Sequence, residues 1–133
     1  MLPWLPILGI VLLSGPFVCC IANIMLANNL CDMEDDRANN RHTLPVITGK
    51  AWGMRLFHLL YLAAGLCVVA AVILGFVPLT AFLVFVVTPK VLSNLSKFRI
   101  TQTKKDTFAL SVMNFLLICG GLAGMIGLGC LLR

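Results

Sequence analysis

From Met1 to Cys31 the chain carries no Asp, Glu, Lys or Arg, and the first charged side chain is Asp32. A stretch this long and this apolar cannot be held in water. In lipid it must satisfy its own backbone donors and acceptors, which helices do. Composition extends that reading to the whole sequence: 60% of the residues are hydrophobic and 11% are charged, with a mean hydropathy of +1.02. The expected fold class is therefore all-α, a polytopic transmembrane helical bundle in an integral membrane protein. At roughly 20 residues per crossing, 133 residues hold about four spans and leave no room for a soluble domain. No positively charged leader precedes the first run, so it reads as membrane segment rather than a cleaved targeting sequence.

Hydropathy and helix breakers predict where the spans lie. Met1 to Cys31 as one helix would be about 46 Å long, against a hydrocarbon layer of about 30 Å. Ser14-Gly15-Pro16 supplies a helix start that divides it. One span is then predicted from about Ser14 to Cys31, with Met1 to Leu13 the trailing end of an earlier one. Further spans are predicted from Gly53 to Leu74, Leu79 to Leu95 and Thr107 to Leu132, with a tight turn at Phe76-Val77-Pro78 and a kink at Pro89. Asn23 and Asn28 of the first span are expected to face lipid or absent partner helices. Gly120, Gly121, Ala123, Gly124, Gly127 and Gly129 give the last span a small-residue face suited to close helix packing, with no chemistry assigned to it.

The net charge of +5 excludes little by itself, but its placement argues against nucleic acid as a partner. The basic residues fall into two short clusters rather than one stripe. Arg37, Arg41, Lys50 and Arg55 flank one connection, and Lys97, Arg99, Lys104 and Lys105 flank another. The connection between them, around Gly75 to Pro78, is uncharged. By the positive-inside rule both basic loops are expected on the cytoplasmic side. The six cysteines lie mostly in apolar runs without C-x-x-C spacing and read as small hydrophobes.

At the end of the first apolar run stands N-N-L-C-D-M-E-D-D-R-A-N-N-R-H-T, residues 28–43, which holds four of the five acidic side chains. Asp32 and Asp36 are four apart. On a continuing helix both project from one face, roughly 5 to 6 Å apart at Cβ, and Asn28 shares the stripe one turn earlier. Like charges so placed near hydrocarbon repel, so the pair asks for a cation. Arg37 and Arg41 follow at once and suit an anion. A calcium loop of the EF-hand type is excluded, since it would need glycine at Arg37 and glutamate at Thr43. Lys90 is expected either to snorkel to the interface or to face a cavity.

These residues resemble the UbiA-type intramembrane prenyltransferases, in particular the branch that prenylates dihydroxynaphthoate in menaquinone synthesis. The resemblance is carried by Asn28-Asn29, by Asp32-x-x-x-Asp36-Arg37 and by Thr43-Leu44, which match the family's second aspartate-rich motif, N-N-x-R-D-x-x-x-D-R followed by T-L. Cys31 stands where that branch has a basic residue, and Asn40 where glycine is common. The first aspartate-rich motif, similar to N-D-x-x-D-x-x-x-D, is nowhere in these residues. The whole chain, residues 1–133, is therefore expected to be a partial prenyltransferase domain, resembling the C-terminal half, with its motif at 28–44.

The resemblance implies a Mg2+-dependent transferase that moves a polyprenyl group from a polyprenyl diphosphate to an aromatic acceptor. It implies Asp32 and Asp36 as metal ligands, and Asn28, Arg37 and Arg41 as diphosphate-binding residues. No side chain is singled out as catalytic beyond these. It implies residence in a bacterial cell membrane among membrane lipid, with the motif loop cytoplasmic, and a partner that is either a missing N-terminal half or a second copy. The competing reading is a truncated, non-catalytic membrane protein that binds lipid or partner helices. Metal-dependent binding of a polyprenyl diphosphate separates the two.

Overall fold

The computed structural model describes residues 4–132. Within them helix α1 (Leu5–Cys31) is followed by two short helices, α2 (Met33–Ala38) and α3 (Leu44–Thr48), and by the long α4 (Lys50–Ile73). A 3-10 stretch (Leu79–Val87) leads directly into α5 (Thr88–Ile100). After a loop come α6 (Phe108–Phe115), a π-helical turn (Leu116–Gly120) and α7 (Gly121–Leu131). Four continuous helical rods result, Leu5–Cys31, Lys50–Ile73, Leu79–Ile100 and Phe108–Leu131, each long and apolar enough to cross a membrane. No strand occurs among the described residues, and the all-α transmembrane bundle is the fold observed.

The division expected at Pro16 does not occur, and the first span begins at Leu5 rather than near Ser14. Met1–Pro3, at the head of the segment assigned to an earlier span, lie outside the described residues. Pro16 removes one backbone N–H and the bond it would give the carbonyl of Leu12. In a membrane bundle neighbouring helices hold such a helix together. Here Pro16 is buried, and the Cys119 thiol approaches its carbonyl at 4.0 Å. Gly15 lets α4 come so near that a Cβ at this position would sit 2.7 Å from Cys67 Sγ.

The same packing of α1 along α4 corrects the expectation for Asn23. It is fully buried rather than lipid-facing, and its Nδ2 donates to the Phe57 carbonyl at 3.1 Å. Asn28, half-buried, is described with the site below. Pro89 sits in the first turn of α5, where its missing N–H withholds one bond from the 3-10 stretch that runs into it. It marks the change from 3-10 to α winding within one continuous rod.

Two apolar clusters form the core. Leu26, Ala27, Leu30, Met33, Phe57, Val91, Leu95 and Phe98 pack beneath the acidic turn, with Phe57 and Phe98 stacked at 4.8 Å between ring centroids. Val68, Ala71, Val77, Ala81, Val84 and Leu122 form the second cluster, towards the other end. A polar knot ties the rods together: Asn94 Nδ2 donates to Asn114 Oδ1 at 2.7 Å, and Asn114 Nδ2 donates to the Tyr61 hydroxyl at 3.3 Å. With no solvent contrast to drive helices together in lipid, such bonds and close packing supply the association.

The small residues of the last rod divide between two environments. Gly129 packs against Pro78 and Thr80 so tightly that a Cβ there would lie 2.6 Å from Pro78 Cγ. Gly120, Gly124 and Gly127 have nothing within 4 Å. The close approach expected of this face is thus made by Gly129, and the G-x-x-x-G pair at 120 and 124 points away from the other described helices.

Gly75, at φ 75°, closes α4. Phe76 N–H bonds back to the Ala71 carbonyl at 2.9 Å and Gly75 N–H to Val72 at 3.0 Å, the paired bonds of a Schellman cap that glycine completes without strain. The uncharged turn after it lies at the end of the bundle opposite both charged connections. Those two connections share one end, because an ion pair joins Asp32 to Lys104.

Candidate functional site

Asp32 occupies the joint where α1 stops and α2 starts, at φ −97° and ψ 6°. Its N–H still bonds the Asn28 carbonyl at 3.1 Å and its carbonyl still accepts from Asp36 N–H at 2.8 Å. The chain bends there without losing helical register, so Asp32 and Asp36 stay one turn apart, as their spacing predicts. Their environments differ sharply. Asp32 opens into a charged cleft, whereas Asp36 is 5% exposed and turned towards the bundle.

The end of α2 explains the inward turn. Asn40 adopts φ 54°, a conformation that Asn tolerates better than other non-glycine residues. Arg41 N–H reaches back to the Asp36 carbonyl at 2.7 Å and Asn40 N–H to the Arg37 carbonyl at 3.2 Å, again a Schellman cap. That reversal lays Arg41 beside Asp36, with the guanidinium 3.7 Å from Oδ1. Thr43, just before α3, donates to Asp36 Oδ2 at 3.1 Å. Asp36 therefore holds the 28–44 segment in its hairpin of short helices. Arg41, whose side chain is 73% exposed, contributes little more than a surface ion pair.

Asn28 Nδ2 lies 3.4 Å from Asp32 Oδ2, at the far limit for a hydrogen bond, and steadies that carboxylate from one turn below. Of the five residues singled out in the sequence, Asp32 and Arg37 line the cleft. Asn28, Asp36 and Arg41 stand behind it and hold Asp32 and the turn.

The opposite wall is the loop between α5 and α6. Leu30, Asp32, Glu34, Asp35, Arg37, Lys50, Gln102, Thr103 and Lys104 are among the residues that enclose a cleft of about 530 Å³. Lys104 Nζ lies 2.6 Å from Asp32 Oδ2. The carboxylate's hydrogen bond raises the Lys104 pKa above its ordinary value, with desolvation opposing it. Lys50 and Lys104 had been legible only as topology signals. The clue to their role was available, because the positive-inside rule put both basic loops on the acidic motif's side.

Side chains pin that loop. Thr103 N–H donates to Thr107 Oγ1 at 2.9 Å, Thr103 Oγ1 donates to Asp106 Oδ2 at 3.0 Å and Phe108 N–H bonds the Thr103 carbonyl at 3.0 Å. Gln102 Nε2 covers the ends of α5 through the carbonyls of Phe98 and Arg99.

A second, apolar cavity of about 420 Å³ lies between α4 and the rod formed by the 3-10 stretch and α5, lined by residues such as Tyr61, Gly65, Phe85, Leu92 and Ile118. His58 and Leu95 mark its end nearer the charged cleft. It runs along α4 from His58 to Val69, about 16 Å at 1.5 Å per residue. Lys90 is exposed and does not line it.

A cation fits this donor set in a limited way. Among the described residues no group of three or more His, Cys, Asp or Glu side chains could hold a metal. Magnesium, however, is bound through one or two carboxylates completed by waters and substrate phosphates. Asp32, open to the cleft and already facing a positive charge, suits that pattern.

Four helices long and apolar enough to cross a membrane, with an ionic cleft at one end and an apolar cavity beside it, define an integral membrane protein. The chain belongs to the UbiA prenyltransferase family, whose sequence profile matches residues 4–118. It is 32% identical over 80 residues to the 1,4-dihydroxy-2-naphthoate octaprenyltransferase of Bacillus subtilis (strain 168), a stretch that covers 60% of this chain and 26% of that enzyme. The chain thus spans about a quarter of the length of the curated relative it matches. No solved structure matches it.

Proposed function

We propose that this chain supplies the second aspartate-rich side of a Mg2+-dependent prenyltransferase site, which transfers a polyprenyl group from its diphosphate to an aromatic acceptor. The naphthoate named for the Bacillus relative is the acceptor we favour. The observation that carries the reading is the cleft itself, in which carboxylates from one connection and cations from both face each other at the mouth of an apolar bundle. In this proposal the cleft faces the cytoplasm, and a first acidic motif, absent from these 133 residues, forms the facing side.

Arg37 holds diphosphate oxygens with its planar fork. Asp32 is the principal carboxylate towards magnesium. Asp36 keeps the motif folded and, with Asn28, fixes Asp32 in place. Bound magnesium would neutralise the diphosphate as it leaves. The allylic C–O bond breaks and its electron pair departs with the diphosphate. The electron-rich acceptor carbon then bonds to the allylic carbon and loses its proton. The apolar cavity between α4 and α5 receives part of the isoprenoid tail and keeps water from the cationic carbon.

Prenyl transfer by the complete site, with this chain co-expressed with a first-motif half, tests the reading. Asp32→Asn keeps the shape but removes the ligand charge, and transfer should fall at least a hundredfold at limiting magnesium. Asp36→Asn should also abolish transfer, accompanied by faster proteolysis of residues 28–44. Near-normal turnover by the Asp32 variant would refute the assignment. The 133-residue chain alone should show no appreciable transfer.

A further inference from the structure

We propose that Lys104 is an anion ligand of the cleft with two alternating partners. It neutralises Asp32 until a divalent cation takes that carboxylate, and it then passes its charge to a phosphate oxygen. This rests on the diphosphate reading above and adds a residue from a separate connection, the loop between α5 and α6.

Three observations carry it. Lys104 Nζ is 2.6 Å from Asp32 Oδ2 while its side chain remains 57% exposed, so the ammonium is held at one oxygen and free on its other sides. The loop that presents it is fixed by the bonds among Thr103, Asp106 and Thr107, which place the lysine backbone over the cleft with little freedom to lose. Lys104 also lines the same 530 Å³ cleft as Arg37 and Lys50, and so an anion seated there meets three cations, two of them outside the aspartate motif.

The exchange follows from charge. A divalent cation at Asp32 repels the ammonium that shares its oxygen, and the four rotatable bonds of lysine let Nζ swing aside while its Cα stays fixed. A phosphate brought by that cation offers the nearest unneutralised oxygens. Arg41 does not compete, since it is turned to Asp36. Lys105 does not line the cleft.

Titration calorimetry on the 133-residue chain in lipid nanodiscs, with magnesium alone and then with magnesium and inorganic pyrophosphate, tests this without any turnover. Lys104→Met should bind magnesium several-fold more tightly, because the competing ammonium is gone. It should bind magnesium pyrophosphate about tenfold more weakly, as expected when one charge-assisted hydrogen bond is lost. Lys104→Arg should stay close to wild type in pyrophosphate binding, and Lys105→Met should resemble wild type in both titrations.

Equal pyrophosphate affinities for the Lys104→Met and Lys105→Met proteins would overturn the role of Lys104 and leave the diphosphate site standing. Loss of both affinities in Lys104→Met would reduce the residue to a structural support and also overturn the exchange. No magnesium-dependent pyrophosphate binding by the wild-type chain would remove the reading beneath it as well.

Discussion

Replacing Asn114 by leucine should destabilise the bundle more than replacing Asn94 and Asn114 together. Asn114 is 1% exposed and so is Asn94. The substitution removes the 2.7 Å bond from Asn94 Nδ2 and the 3.3 Å bond to the Tyr61 hydroxyl. Interhelical side-chain bonds in membranes average about 0.6 kcal/mol each, so their loss accounts for about 1 kcal/mol. A larger cost comes from what is stranded. Asn94 Oδ1 already has no hydrogen-bond partner, and with Nδ2 unpaired as well its whole amide is orphaned, at about 1 to 3 kcal/mol.

The single variant should therefore lose about 2 to 4 kcal/mol. Asn94→Leu in the same chain deletes the orphan and should restore about 2 kcal/mol of that loss. Equilibrium unfolding in mixed micelles, run as a double-mutant cycle over the wild type, both single variants and the pair, measures the coupling directly. Additive costs would refute the argument that these amides act as one bonded unit.

Gly129→Val should lower the unfolding midpoint in the same assay by the equivalent of about 1 to 3 kcal/mol, because its side chain drives into Pro78 and Thr80. Gly127→Val, with nothing within 4 Å, should change it little, and equal effects would argue against the packing described for α7. In a cysteine-free background, a single cysteine at Lys105 should be protected from an impermeant thiol reagent in intact cells while one at Leu79 reacts. The reverse pattern would invert the proposed orientation.

Much of the bundle was legible because hydropathy depends only on local composition: the rods after the first lie within a few residues of their predicted ends, apart from the extension of the third to Ile100. Pro16 misled because its rule comes from helices without close neighbours, and here Cys119 approaches its carbonyl while α4 comes close at the adjoining Gly15. Asn23 misled for a related reason, since a side chain's facing depends on which helix lies beside it. At the site, the i, i+4 spacing correctly kept Asp32 and Asp36 one turn apart. Only the cap at Asn40 and Arg41, followed by Thr43, turns one carboxylate inward while the other stays open. The meeting of Lys104 with Asp32 joins positions 72 apart in sequence, and no local pattern encodes that contact.

The winding of the third rod bears on how the protein matches its bilayer. Nine residues in 3-10 form rise about 2.0 Å each and so cover about 18 Å, where α winding would cover about 14 Å. Added to the thirteen residues of α5, about 20 Å, they give a rod of about 38 Å. The 24 residues of α4 reach about 36 Å. A 22-residue crossing thus equals the reach of a 24-residue one by being drawn out rather than lengthened. The reach of these two neighbouring rods is matched by pitch, not by residue count.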